Sequence, residues 1–217
     1  MSTRTLKVVS DAGPVPAKLT GDPGAIGVLL AHGAGAGQLH PWMVTMRRLL
    51  GARHPTMTFD YAYAAAGRTA PDRQERLLAV HRAAADRLQE YTDAVILGGK
   101  SMGGRIGSHL AGDEGWPAAG LVYFGYPLVP LGKNPPRDTS HLDKIGAPQL
   151  FFAGTRDQLS PSDIVAPLAR RLGAELVVID DGDHSFNVPK RSGTTQDAVL
   201  AEMAATTARW VEATVTG

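Results

Sequence analysis

The 217-residue sequence contains no cysteine. Without thiols the chain has no disulfide framework, no thiolate zinc site and no cysteine nucleophile. Its charges almost cancel, because 22 lysines and arginines stand against 21 aspartates and glutamates and leave a formal charge of +1. These charges form no long run of one sign, so we expect neither nucleic acid nor an anionic membrane as a partner.

Long apolar runs are missing as well. No segment approaches the roughly 18 apolar residues of a membrane span, and the N-terminal segment lacks the apolar core of a secretory signal. We therefore expect a cytoplasmic protein. The composition is 43% hydrophobic and 20% charged, which is ordinary for a globular protein, and the length favours one domain over residues 1–217.

Apolar segments of strand length alternate with segments of helical periodicity, which is typical of βαβ units and a mostly parallel sheet. Two early strands, 5–9 and 15–19, are joined by a turn and predict an antiparallel start. Helices are predicted between the later strands, including one over 71–92 and one with Ser160 as its N-cap. The fold class is therefore doubly wound α/β. The buried strands predicted after the antiparallel start are 27–31, 56–61, 94–97, 121–124, 150–153 and 176–179.

A strand-to-helix turn carries the strongest chemical signal in the sequence. Residues 99–103 read Gly-Lys-Ser-Met-Gly and match G-x-S-x-G, in which a serine nucleophile occupies a strained turn. Side chains at the two glycine positions would collide across such a turn, so glycine is needed at both. Ser101 is the predicted nucleophile. The structural alternative is a glycine-rich turn in which a serine caps a helix.

Two phosphate-binding patterns resemble parts of the same sequence. Residues 99–101 copy the end of a P-loop, but that motif needs glycine at position 94, where the chain has Ala94. Residues 32–37, HGAGAG, follow a strand as a dinucleotide fingerprint does, but Gln38 stands where the third small residue belongs. We set the P-loop aside and keep a dinucleotide site as a minor alternative.

An acyl-transfer enzyme also needs two backbone N–H donors for the oxyanion of its tetrahedral intermediate. The N–H of Met102, directly after the nucleophile, is one predicted donor. The other is predicted at Ala34, in the loop after the strand 27–31, where Gly33 and Gly35 let the backbone approach closely. His32 in this segment is interpreted as a structural histidine that braces the loop.

The acid and the base should follow the serine in the order acid, then histidine. The downstream histidines are His109, His141 and His184. Only His184 lies in a turn-rich segment directly after the last strand, so it is the predicted base. Asp157 follows the strand 150–153 and should emerge at the carboxyl edge of the sheet, which makes it the predicted acid.

The strings HGAGAG, GGKSMGGR, GYPL, GTRDQLSP and GDHSF resemble those of small α/β-hydrolases related to dienelactone hydrolase. The similarity covers nearly the whole chain and is greatest to a bacterial hydrolase group that shares its domain with testis-expressed and chromatin-complex hydrolase-like proteins. The resemblance implies Ser101, Asp157 and His184 as a triad, with Ala34 and Met102 as oxyanion donors. Dienelactone hydrolases have cysteine where this chain has serine, so their substrate is not carried over.

The predicted site has little sequence available to cover it. Only residues 125–148 separate the two strands between which many relatives insert a cap, so we expect an open α/β-hydrolase site with no lid domain. Tyr61, Tyr63 and Tyr126 follow strand ends and are candidates for lining the substrate, although each could equally be a rim aromatic that covers the core.

The residues together predict hydrolysis of a carboxylic ester or thioester of a small molecule through an acyl-serine intermediate, without a metal or organic cofactor. We expect a monomer or small homo-oligomer. One alternative is a binding or scaffold module that keeps the fold without turnover, and another is an acyltransferase or peptidase with the same triad. Lys133, Arg137 and Arg105 are candidates for binding a substrate carboxylate or phosphate, although a solvated surface charge is the more common role.

Overall fold

A computed structural model of the chain describes residues 2–130 and 136–215, and within these residues eight strands form one sheet flanked by helices. The strands are β1 (Thr3–Ser10), β2 (Gly13–Thr20), β3 (Gly24–Ala31), β4 (Thr56–Phe59), β5 (Thr92–Lys100), β6 (Gly120–Phe124), β7 (Gln149–Gly154) and β8 (Glu175–Ile179). The helices are α1 (Pro41–Leu50), α2 (Ala62–Ala65), α3 (Gln74–Gln89), α4 (Met102–Gly112), α5 (Ser162–Leu172) and α6 (Gln196–Val215), with short 3₁₀ helices at Ser140–Lys144 and Lys190–Ser192.

The strand order is β1-β2-β4-β3-β5-β6-β7-β8. The pairs β1–β2 and β2–β4 are antiparallel, and every other neighbouring pair is parallel. The predicted α/β class, with a mostly parallel sheet and an antiparallel start, is therefore confirmed. The central strands read as continuous apolar runs because helices cover both of their faces.

Alternate residues of β3 contribute to two different apolar clusters. Leu29 and Ala31 pack with residues of α3, α4 and α5, whereas Val28 and Leu30 pack with residues of α1 and α6. Successive side chains of a strand point to opposite faces of the sheet, so the two clusters are the two sides of a three-layer arrangement. All four side chains are essentially inaccessible.

The helix predicted over 71–92 is shorter at both ends, because α3 runs Gln74–Gln89. Thr92 instead begins β5, where it pairs with Gly24 of β3. Residues at the end of the predicted helix therefore pair in the sheet, although their spacing also matches a helix. The single turn of α2 falls where no helix was predicted, because four residues carry no recognisable period.

The helix predicted to have Ser160 as its N-cap begins one residue later, at Ser162, with Pro161 in the cap position. Ser160 stays in the preceding turn because its N–H donates to the carboxylate of Asp157 at 3.1 Å. Between β6 and β7 the described residues form one 3₁₀ helix and no lid domain. None of the helices in the described part of the chain is long and apolar enough to cross a membrane.

Candidate active site

Ser101 is the single residue that connects the end of β5 to the first residue of α4. Its φ of 51° and ψ of −118° are rare for a residue with a side chain and correspond to a strain of about 1–3 kcal/mol. Hydrogen bonds hold the turn on both sides, since the Ser101 N–H donates to the Phe124 carbonyl at 3.0 Å and its own carbonyl accepts from the Arg105 N–H at 3.2 Å. The backbone therefore projects the serine hydroxyl above the carboxyl edge of the sheet.

The two glycines of the motif allow this turn to form. A Cβ atom at Gly99 would lie 2.1 Å from the backbone nitrogen of Gly104, and one at Gly103 would lie 2.4 Å from the carbonyl oxygen of Ala31. In both cases the obstacle is backbone that cannot swing away. The predicted need for glycine at both positions is thus a steric fact of the turn.

A continuous hydrogen-bonded relay links three side chains at this edge. The Oγ of Ser101 lies 2.9 Å from Nε2 of His184, and the Nδ1 of the same ring lies 2.7 Å from Oδ2 of Asp157. An ionised carboxylate only accepts hydrogen bonds, so Nδ1 carries the proton and Nε2 is free to accept the serine hydroxyl proton. The Asp157 side chain is fully buried, whereas that of His184 is 28% exposed.

The second oxygen of Asp157 is also occupied. Its Oδ1 accepts the backbone N–H groups of Leu159 at 2.8 Å and Ser160 at 3.1 Å. Burial alone would raise the pKa of this carboxyl, but the hydrogen bond and charge of His184 and the two backbone donors outweigh it, so the pKa lies below the ordinary 3.8. Asp157 is therefore an oriented carboxylate at neutral pH.

Adjacent strand ends bring the acid and the base together. Asp157 follows β7 and His184 follows β8, its parallel neighbour. Gly154 at the end of β7 lets the following loops pack closely, since a Cβ there would lie 2.2 Å from the Gly182 carbonyl oxygen. Phe186 adopts a φ of 61° and is fully buried, which anchors the loop that carries His184.

Both predicted oxyanion donors lie close to Ser101, since Met102 follows it directly and a Cβ at Gly33, next to Ala34, would lie 3.4 Å from the Ser101 Cβ. Met102 is the first residue of α4, where a backbone N–H has no partner within the helix. Ala34 lies in the loop after β3, next to Gly35 with its φ of +71°. Within the described residues, no hydrogen bond engages the N–H of either Ala34 or Met102, so both remain available to an acceptor from outside the chain.

His32 braces the loop after β3, as its interpretation as a structural histidine requires. Its Nδ1 lies 2.8 Å from the Gly33 carbonyl and its Nε2 accepts the Tyr61 N–H at 3.1 Å. The first contact makes Nδ1 the protonated nitrogen. Burial lowers the pKa of this ring, so the neutral form is favoured.

The structure corrects the role expected for Tyr61 and Tyr63. Both side chains are fully buried in the core, and neither borders the space around Ser101. The Tyr61 hydroxyl lies 2.9 Å from Nδ1 of His81, and the Tyr63 hydroxyl donates to the Gly33 carbonyl at 3.4 Å. After β4 the chain turns toward the core. These rings therefore pack against the loop after β3 and do not line a substrate.

Tyr126 is corrected in the same way. It is buried in a polar cluster beside α4, with its hydroxyl 3.2 Å from both the Oγ of Ser108 and the Nε2 of His141. The Ser108 Oγ lies 2.9 Å from the same nitrogen, and the His141 ring stacks on His109 with centroids 3.7 Å apart. Tyr126 and His141 thus belong to the packing of α4 and do not line the site.

Two open depressions flank Ser101, with volumes of about 330 and 320 Å³. Ala34, Ser101 and Leu159 border both of them. The first is also lined by Lys100, His40, Trp42, Met43 and His184. The second is also lined by Met102, Arg105, Pro127 and Arg137. Each volume is at the lower end of the range for small-molecule sites.

Most of the first depression could not be predicted from motifs. Lys100 belongs to the P-loop-like string 99–101, and Trp42 belongs to no chemical motif. The available signal was that Lys100 immediately precedes the nucleophile at a strand end. Of the three cations expected near the site, Arg105 and Arg137 line the second depression, and Lys133 lies outside the described residues.

The α/β hydrolase domain family matches residues 24–212, a span that contains every residue of the relay and both depressions. The chain belongs to this family. A lidless α/β serine hydrolase from Xanthomonas campestris has a similar fold, with a TM-score of 0.73 at 16% identity over 97% of this chain and 95% of that one.

Two esterases share the α/β hydrolase fold at similarly low identity. Est1E from Butyrivibrio proteoclasticus has a TM-score of 0.75 at 14% identity, over 98% of this chain and 99% of that one. An esterase from Pyrococcus furiosus has a TM-score of 0.76 at 14% identity, over 99% and 92% of the two chains. At these identities the likeness establishes the fold alone.

Proposed function

We propose that the protein is a serine hydrolase that cleaves a carboxylic ester or thioester through an acyl-Ser101 intermediate. The observation that carries this proposal is the relay from the Ser101 hydroxyl through His184 to Asp157, with contacts of 2.9 and 2.7 Å. Membership of the α/β hydrolase family supports hydrolase chemistry, and the esterase descriptions of several structural neighbours favour an acyl substrate.

In the first half-reaction the Ser101 Oγ attacks the carbonyl carbon of the substrate while its proton passes to Nε2 of His184. Asp157 stabilises the imidazolium that forms, because its carboxylate accepts the Nδ1 proton. The oxygen of the tetrahedral intermediate accepts hydrogen bonds from the N–H groups of Ala34 and Met102. The bond to the leaving oxygen or sulfur then breaks, and Nε2 returns its proton to that atom.

In the second half-reaction a water molecule takes the place of the leaving group. His184 removes a proton from this water as the oxygen attacks the acyl carbon, and it then returns the proton to Oγ as the acyl–serine bond breaks. The products are a carboxylic acid and the regenerated Ser101. Every proton transfer in the cycle passes through one ring nitrogen, so the hydrogen bond that orients this ring is central to the mechanism.

We further propose that the substrate is a small acyl compound, that the chain works in the cytoplasm as a monomer or small homo-oligomer, and that the reaction needs no cofactor. The closer kinship with the dienelactone-hydrolase-related group that includes testis-expressed and chromatin-complex homologues belongs to the same proposal. It is supported by the strings HGAGAG and GGKSMGGR, which here form the loop after β3 and the nucleophile turn.

A fluorophosphonate probe tests the proposal directly, because it modifies only an activated serine. We expect labelling of the wild type and of the control Ser140→Ala, which removes an exposed hydroxyl of the first 3₁₀ helix, and no labelling of Ser101→Ala. A series of p-nitrophenyl esters from acetate to long chains, run on the same three proteins, should show turnover only in the first two. Folded wild type that neither reacts with the probe nor cleaves any ester would favour a scaffold module.

A further inference from the structure

A buried lysine stands beside the nucleophile, and the proposed hydrolysis does not use it. Lys100 is the last residue of β5, is 9% exposed, and lines the first depression at Ser101. Its Nζ lies 5.7 Å from the centroid of the Phe186 ring, and it has no hydrogen-bond acceptor within residues 2–130 and 136–215. The stem of Lys100 is buried while its Nζ stays accessible at the depression, so the ammonium group can bind an anion supplied from outside the chain.

The two carboxylates nearest in electrostatic effect are already engaged. Asp157 accepts from His184 and from two backbone N–H groups. Asp183 accepts from the N–H groups of Ser185 and Asn187 at 2.8 and 2.9 Å. Neither carboxylate forms an ion pair with Lys100 in the described structure, so both contribute only a field that favours the charged amine.

The residues that line the first depression are suited to an anionic ligand. None of the described residues that line it is acidic. On the other side of the nucleophile, Arg105 and Arg137 line the second depression, again without a described acidic neighbour in its lining. Cations thus flank Ser101 in a chain whose formal charge is only +1.

We propose that the first depression holds a carboxylate or another anionic oxygen group of the substrate against the ammonium group of Lys100, so that the preferred substrates are negatively charged esters or thioesters. This inference rests on the proposed hydrolysis at Ser101 and adds its substrate class. Lys100 acts by binding the substrate and takes no part in proton transfer.

The size of the first depression limits how far the anionic group of the substrate can lie from the scissile carbonyl. The depression has a volume of about 330 Å³, enough for a short chain beside the scissile carbonyl. Lys100 and Ser101 both line this depression, so an anion bound to Lys100 shares one small cavity with the reacting carbon. A carboxylate separated from the ester by about three methylene groups is therefore a suitable probe.

The pH dependence should separate substrate binding by Lys100 from a packing role. Burial lowers the pKa of Lys100 to about 8, against the opposing charges of Asp157 and Asp183, while the Phe186 ring packs on it without titrating. The ratio of kcat/KM for an anionic ester to that for a neutral ester reflects the free enzyme. We expect this ratio to fall as pH rises through about 8, because the amine then loses its charge.

The test compares matched pairs of esters in a pH-stat at pH 7. Monoethyl glutarate against ethyl pentanoate places the carboxylate on the acyl side, and 4-acetoxybutanoate against butyl acetate places it on the alcohol side. Wild type, Lys100→Met, Lys100→Arg and the control Lys7→Met, which removes an exposed charge of β1, are compared after active-site titration. Titration with a neutral fluorophosphonate removes differences in the fraction of folded enzyme.

We expect wild type and Lys7→Met to prefer the anionic ester by about tenfold or more in at least one pair. Lys100→Met should lose most of that preference, and Lys100→Arg should keep part of it. Equal rates on both members of each pair, or a preference that survives in Lys100→Met, would overturn the inference while neutral-ester turnover upholds the hydrolase. If no ester of either charge is cleaved and no serine is labelled, the proposed function falls and this inference falls with it.

Discussion

The Oδ2 of Asp157 lies 2.7 Å from Nδ1 of His184, at the meeting point of two loops that follow neighbouring parallel strands. This contact determines which ring nitrogen carries the proton, and therefore whether Nε2 can accept one from Ser101. The backbone donors on Oδ1 hold the carboxylate so that its other oxygen faces the ring.

Asp157→Asn should abolish most turnover without unfolding the protein. The amide can still accept the Leu159 and Ser160 N–H groups, but its NH₂ would donate to Nδ1 and force the proton onto Nε2, the wrong tautomer. We expect kcat to fall by about 10⁴-fold, the size of this effect in the general Ser-His-Asp template. Asp163→Asn, in the first turn of α5, is the control; comparable losses in both variants would contradict the proposed role of Asp157.

Gly103→Ala should destabilise the fold and Gly146→Ala should not. A Cβ at Gly103 would lie 2.4 Å from the Ala31 carbonyl oxygen, whereas one at Gly146 has no heavy atom within 4 Å. We expect a loss of several kcal/mol in the free energy of unfolding for the first and a change below about 1 kcal/mol for the second. Urea unfolding curves give the comparison, and equal midpoints would show that the nucleophile turn can relax.

Tyr126→Phe should affect stability and leave catalysis intact. The change removes a hydroxyl from the buried cluster with Ser108 and His141, at a cost of about 1 kcal/mol. Since the ring does not border either depression, kcat/KM should stay within about a factor of two. Tyr91→Phe, on a half-buried side chain, is the matched control for loss of a hydroxyl. A large fall in kcat/KM at unchanged stability would restore Tyr126 as a substrate-lining residue.

Lowering the pH should begin to destabilise the protein near pH 6.5, well above the pH range in which carboxylates titrate. His81 is fully buried between Phe59 and Tyr61, and burial lowers its pKa to about 3; that of His141 is lowered to about 4, also chiefly by burial. Below pH 6.5 the unfolded chain binds protons that these folded rings exclude, so their stabilising contribution is complete above 6.5 and is lost as pH falls toward the folded values.

For each such histidine, the free energy of unfolding should fall by about 1.4 kcal/mol per pH unit as the pH is lowered from 6.5 to the pKa of the ring in the folded protein. Free energies of unfolding from urea curves at pH 7, 6, 5 and 4.5 measure it. In His81→Gln the dependence of the free energy of unfolding on pH should weaken by the contribution of one proton, because that position no longer titrates. A wild-type stability that is flat across this range would show that the buried rings accept protons in the folded state.

Much of the fold and of the relay was predictable because both depend on local pattern. Apolar strands of ordinary length mark the buried sheet, and the glycines at 99 and 103 mark a turn that only glycine permits. Strand ends at one edge of a parallel sheet also bring together residues that follow them, which is why Asp157 and His184 could be chosen by position. Helix limits were less predictable, since Thr92 fits a helical period and pairs in β5 instead.

Local sequence patterns therefore give the order of the eight strands and the longer helices, the strained turn at Ser101 and the residues that follow the strand ends. They do not show that Tyr61, Tyr63 and Tyr126 are buried, or that Lys100 shares a depression with Trp42 of α1; both follow from the tertiary packing. The difference arises because turn geometry depends on a few adjacent residues. Burial and the lining of a depression depend on how distant elements pack across the sheet, which no local spacing records.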